Sequence, residues 1–199
     1  MRTQPVSFTI SLPAWCVEFS KTLPERLQSD HDAMRLAIDL SRRNVVEDTG
    51  GPFAAVVSAI DDGRIIAIGV NRVEPDHCSS AHGEIVALSL AQSRLGSFDL
   101  SAAETGPLQL ATSCEPCAMC LGAIPWSGIK RLVCGATKAD AAATGFDEGE
   151  RIDDWIGMLN RRGIRVETGI LRADAARVLE DYRKRGARIY NPSRPDTEV

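Results

Sequence analysis

Between Asp30 and Glu47 the apolar residues Met34, Leu36, Ala37, Ile38, Leu40, Val45 and Val46 cluster along one stretch. With Asp30 as N-cap, the pattern predicts an amphipathic helix. Gly50-Gly51-Pro52 breaks it. Phe53 to Ile60 is almost continuously apolar and predicts a buried strand. Asp61-Asp62-Gly63-Arg64 predicts a hairpin turn, after which Ile65 to Val70 returns antiparallel. Glu84 to Leu95 reads as a helix ending at Gly96, and Leu108 to Thr112 as a third strand. A helix from Cys117 to Ile124 is expected to stop at Pro125. Arg131 to Ala136 predicts a fourth strand, Asp153 to Arg162 a helix, Ile164 to Glu167 a short strand and Arg172 to Arg185 a final helix. The order α-β-β-α-β-α-β-α-β-α carries no internal repeat. It predicts an α/β fold, a three-layer α-β-α sandwich around a mixed five-stranded central sheet.

Arg2 to Pro13 and Pro192 to Val199 read as loose tails. The expected organisation is an N-terminal extension (1–29), one domain (30–186) and a C-terminal tail (187–199). A chain of 199 residues can build one domain with a substantial core. No run of about 18 apolar residues predicts a membrane span. Met1-Arg2-Thr3-Gln4-Pro5 lacks the apolar run of a signal peptide, so a cytoplasmic location is expected. A net charge of -4 disfavours a broad electrostatic footprint for nucleic acid. The basic groups Arg42-Arg43, Lys130-Arg131, Arg161-Arg162 and Arg183-Lys184-Arg185 are scattered among acids. Six cysteines in such a chain read as metal ligands plus buried thiols rather than disulfides. Cys16, Cys78, Cys114 and Cys134 have no evident pairing logic, and Cys134, after Leu132 and Val133, is expected to be a small buried hydrophobe.

The chemistry concentrates in two segments, Ala81-His82-Gly83-Glu84 and Cys114-Glu115-Pro116-Cys117-Ala118-Met119-Cys120. Together they give H-x-E followed by P-C-x-x-C. Cys117 and Cys120 share one helix face, and a helix N-terminus favours thiolates. Pro116 suits a helix start. His82 and Glu84, two apart, would diverge inside a regular helix, so His82 is expected at a loop-to-helix junction. Two helix starts would then converge on one Zn2+ per subunit, with His82, Cys117 and Cys120 as ligands. Three protein ligands leave a position open for water, as catalytic zinc sites do. Glu84 is left free to move protons. A lone C-x-x-C could equally be a redox pair or half of a structural zinc knuckle. No second C-x-x-C or C-x-x-H is present, and His31 and His77 are not spaced to close a fourth position.

The paired signature resembles that of zinc-dependent base deaminases. The chain resembles the cytidine deaminase superfamily, and within it the guanine deaminase branch. Gly50-Gly51-Pro52-Phe53-Ala54-Ala55, Asn71-Arg72-Val73, the segment Ser113 to Ile124 with Trp126 following, and Ala142-Ala143-Thr144-Gly145-Phe146-Asp147-Glu148 carry the likeness. It spans roughly Asp48 to Gly149. Gly83 departs from the family, where alanine is usual, and is expected to loosen the helix start. The resemblance implies a cytidine deaminase-like fold in which 30–186 is the zinc deaminase domain. It implies hydrolysis of a free nucleobase, guanine to xanthine and ammonia, with tolerance for aminotriazines, in purine catabolism. Glu84 and Glu148 would be catalytic. Asn71, Phe53, Trp126, Phe146, Asp147 and Tyr190 would bind substrate. Which of Asp147 and Glu148 enters the pocket stays open, and Trp126 is as well read as core. The family habit also implies a homodimer, with the C-terminal segment crossing to close the partner's site.

A second reading is a tRNA adenosine deaminase, or another nucleoside or pyrimidine deaminase with the same zinc chemistry. A third is a non-enzymatic zinc module. It would leave Glu84 and Asn71 without purpose and the metal one ligand short.

Overall fold

In the computed structural model, which describes residues 5–102 and 104–191, the sheet forms around β1 (Ala54–Ala59). This strand lies between β2 (Ile65–Val70) and β3 (Leu108–Cys114) and is antiparallel to both. β4 (Arg131–Ala136) and β5 (Arg165–Glu167) continue the sheet parallel to β3. The order is β2-β1-β3-β4-β5, the expected mixed five-stranded sheet. All residues of β1 and β3 are buried because both faces of the sheet are covered. One face holds α2 (Asp30–Val46) and α7 (Arg172–Lys184), packed on Ala54, Val56, Ala111 and Val133. The other holds α3 (Gly83–Leu95), α4 (Ala118–Ser127) and α6 (Trp155–Arg161), packed on Ala55, Val57, Leu110 and Leu132. The two-residue period of the strands thus divides one apolar sequence between two cores.

Three local expectations need correction. α1 (Ala14–Ser20) forms inside the expected extension, and its Cys16 is buried in the core beside Trp15 and Phe19. α5 (Lys138–Thr144) was not expected, and a capping box between Thr137 and Asp140 starts it. α4 runs through Pro125 and ends at Gly128, which adopts a left-handed φ of 83°. Proline has no N–H, so one hydrogen bond to the Leu121 carbonyl four residues back is lost, and the helix ends two residues later. Arg2 to Gln4, and the segment Pro192 to Val199, lie outside the described residues. No helix among the described residues is long and apolar enough to cross a membrane.

Candidate active site

The two motif segments are both helix starts. His82 is the N-cap of α3, with extended φ and ψ, and Cys117 is the N-cap of α4. The Cys120 backbone N–H lies 3.5 Å from Cys117 Sγ. Cys117 Sγ is 3.5 Å from His82 Nδ1. One donor atom each from His82, Cys117 and Cys120 lies within 4.8 Å of the others. One imidazole and two thiol groups, converging from helix N-termini, fit a zinc ion with a coordination position to spare. His31 and His77 are outside this cluster.

Glycine sets how closely α3 approaches the sheet. A Cβ on Gly69 of β2 would stand 2.3 Å from Ala87 N and 2.4 Å from Gly83 O. A Cβ on Gly83 would stand 2.9 Å from Ala54 Cα. Glycine at 83 therefore has a packing role that the sequence reading did not foresee. It lets the first turn of α3 rest on β1, and that turn carries His82 and Glu84.

Glu84 is buried in this turn, and burial followed by the nearby Cys117 charge raises its pKa to about 7. Glu148 is also buried and is pushed up to about 8 by burial, then by Cys117 and Glu84. Cys117 is pulled down to about 4, first by its hydrogen bond with Cys120, against burial, and further by His82. Burial alone would lower His82, but its bond to Cys117 and the nearby acids outweigh that and raise it. A site that can hold one proton between carboxylates and stabilise a thiolate suits general acid–base chemistry beside a metal.

A cavity of about 410 Å³ opens onto these groups. Phe53, His82, Glu84, Cys117, Phe146, Asp147, Glu148 and Tyr190 line it. Phe53 meets Phe146 edge-on at 4.8 Å, and Phe146 lies 5.2 Å from Tyr190. The Tyr190 hydroxyl is buried without a hydrogen-bond partner. Asp147 and Glu148 both line the cavity, and Glu148 is the more buried. Asn71, fully buried at the end of β2, receives the Gly51 and Val73 N–H groups on Oδ1. Its Nδ2 is left without a partner. A larger cavity, about 480 Å³, lies along the outer edge of β2, but none of His82, Cys117 and Cys120 lines it.

Trp126 lies apart from the cavity of its own chain. It is 83% exposed on α4 and lines a separate groove with Gly122 and Ile152. Its position on the outer face of the helix turns the indole away from both the core and the cavity. Sequence reading also missed Glu115 and Asn191, which line the cavity. Asn191 Oδ1 accepts the Asp147 N–H at 2.9 Å, and its Nδ2 donates to Gly145 O at 2.8 Å. Adjacency to the motif and to Tyr190 was the available signal for each. The segment ending at Asn191 folds onto the site of its own chain.

The family described as the cytidine and deoxycytidylate deaminase zinc-binding region matches residues 27–136. Guanine deaminase of Bacillus subtilis is 41% identical over 115 residues, 58% of this chain and 69% of that protein. The solved guanine deaminase from Nitrosomonas europaea is 45% identical with a TM-score of 0.86, covering 92% of this chain and 99% of that one. A tRNA-specific adenosine deaminase of Buchnera aphidicola is 30% identical over 159 residues, 79% of this chain and 97% of that protein.

Proposed function

This chain belongs to the cytidine and deoxycytidylate deaminase zinc-binding family, in its guanine deaminase branch, and on that premise we propose that it hydrolyses guanine to xanthine and ammonia. The observation that carries the reading is the pair of buried carboxylates, Glu84 and Glu148, on one cavity with His82 and Cys117 of the three-residue metal-donor cluster. His82, Cys117 and Cys120 would hold one Zn2+ per subunit. Bound zinc supplies acidity to a water molecule, bringing its pKa from about 15.7 toward about 7.

Glu84 takes a proton from the attacking water and gives it to a ring nitrogen. Glu84 then carries the remaining proton of the hydroxyl added at C2 to the exocyclic amino group, the C2–N bond breaks, and ammonia leaves as the C2 carbonyl of xanthine forms. Guanine presents two adjacent donors, N1–H and the amino group, and Glu148 offers an acceptor for them or relays a proton. The unpartnered Asn71 Nδ2 donates to an acceptor on the base. Phe53 and Phe146 supply an aromatic wall, and Tyr190 covers the bound ring, with Asp147 at its rim. Aminotriazines share the amidine unit and would be secondary substrates.

A tRNA substrate suits the site less well. The net charge is -4, and Tyr190 and Asn191 from the same chain line the cavity that a flipped nucleotide would have to enter. A panel of guanine, adenosine, cytosine, cytidine and a tRNA anticodon stem-loop, read by ammonia release, separates these substrates. Turnover of the stem-loop with none of guanine would refute the assignment.

We assign the assembly to a homodimer. Met119, Gly122, Ala123 and Trp126 recur at helical spacing on the outer face of α4. Glu150 and Arg162 rim the adjoining groove, and neither makes an ion pair among the described residues. Opposite charges beside one apolar stripe are self-complementary across a twofold axis. All six cysteines are free thiols, which supports a reducing, cytoplasmic setting for a step in purine breakdown.

A further inference from the structure

Glu115 sits inside the cysteine motif but gives nothing to the metal cluster. Its Oε2 accepts from Arg151 Nη2 at 2.9 Å and from the Lys138 N–H at 3.1 Å. Arg151 Nη1 donates to Pro116 O at 3.3 Å, and the guanidinium stacks 4.6 Å from the Trp155 ring centre. The side chains of this ion pair are only 10% and 11% exposed. Arg151 is therefore joined to the two residues just before Cys117.

Arg151 also ends the segment that carries Phe146, Asp147 and Glu148. From Gly145 to Arg151 the backbone forms neither helix nor strand. Irregular segments move unless hydrogen bonds fix them. This one is fixed at its start by Asn191. In the middle, the Ala118 N–H donates to Glu148 O at 3.0 Å and Lys138 Nζ donates to Gly149 O at 2.8 Å. The latter lysine bond is on the surface. At its end the Glu115–Arg151 pair is the buried anchor.

We propose that the Glu115–Arg151 pair is a positioning device that fixes the distance between the Glu148 carboxyl and the Cys117 end of the metal site. It rests on the reading of Glu148 as a catalytic group. Arg151 touches neither substrate nor metal and acts through Glu148. Arginine is suited to the task because its planar fork grips Glu115 and the Pro116 carbonyl at once, which a lysine ammonium does only partly.

The test uses the full zinc-loaded chain and the variants Arg151→Ala, Arg151→Lys, Glu115→Gln, Glu148→Gln and the double variant Arg151→Ala/Glu148→Gln. Arg151→Ala is expected to lower kcat for guanine about 10- to 100-fold, with unchanged zinc content and a smaller change in KM. Arg151→Lys recovers part of the loss. In the Glu148→Gln background the same alanine substitution is expected to cost less than about threefold, because both changes act on one group. The full factor in that background, or an unchanged kcat in Arg151→Ala, would overturn the proposal. Hydrogen exchange of the amides in 145–151 gives a second readout that needs no substrate. Exchange about tenfold faster in Arg151→Ala, with α4 still protected, supports positioning, and unchanged exchange refutes it. If Arg151→Ala does not fold, Arg151→Lys and Glu115→Gln carry both measurements with smaller factors. A wild-type chain without guanine turnover refutes the substrate assignment alone, and the exchange measurement then decides the positioning role.

Discussion

Asn71 is buried in full, yet half of its amide is unused: Oδ1 holds two backbone N–H groups while Nδ2 has no partner. A buried donor without a partner costs stability, so a base that accepts from it restores what folding left open. Asn71→Ala is expected to raise KM for guanine about tenfold, the size of one neutral hydrogen bond. Steady-state kinetics on zinc-matched samples measure it, and an unchanged KM would deny Asn71 a part in binding the base. The metal donors and Glu84 were legible in the sequence because zinc and proton transfer dictate residue type and spacing. Glu115, Arg151 and Asn191 were not, because each acts through partners far along the chain or through backbone atoms. The position of Trp126 was not legible, because adjacency along a helix does not say which side of it faces the cavity.

At the scale of elements, the site depends on two helix N-termini held against the sheet. Gly69 gives α3 its close approach to β2, and the backbone atoms it would meet cannot swing aside as a side chain does. Gly69→Ala is expected to destabilise the protein by about 1–3 kcal/mol, the usual cost of overpacking, and to weaken zinc retention by shifting His82. Thermal melts with and without a chelator measure both effects. The start of α5 depends on Asp140, which accepts from the Thr137 N–H and hydroxyl and pairs with Arg172 through two oxygens. The Arg172 hydrogen bond, then those from Thr137, hold its carboxyl well below the usual range. An acid whose folded pKa is depressed contributes stability above its unfolded value, near 4, and loses it as pH falls through the folded value. The stability deficit of Asp140→Asn should therefore be constant from about pH 5 to 8 and shrink below about pH 4. Denaturant titrations across pH check this, and a deficit that grows on acidification would contradict it. α5 escaped sequence reading because Lys138–Thr144 is short and shows no apolar period, so only its capping box marks it. α1 escaped because it is a seven-residue helix with a single buried residue, Cys16, too short to show an apolar period.

Over the whole molecule, alternation of strand-like and helix-like segments was sufficient to predict the layered mixed sheet, since each apolar run had one sheet to join. Assembly was less legible, because a helix apolar on all sides reads the same whether its outer face meets core or another chain. The outer stripe of α4 predicts that Trp126→Glu converts a dimer to a monomer in sedimentation experiments while each chain keeps its zinc. A variant that still sediments as a dimer would move the interface elsewhere. The central claim joins metal, proton shuttle and base in one cavity. Ammonia release from guanine, compared between the wild-type chain and Glu84→Ala at equal zinc content, tests it most directly. The account predicts equal yields of xanthine and ammonia from the wild type, and a loss of at least about 100-fold in Glu84→Ala with zinc retained. Wild-type protein that leaves guanine intact, or a Glu84→Ala variant that deaminates it at the wild-type rate, would contradict it.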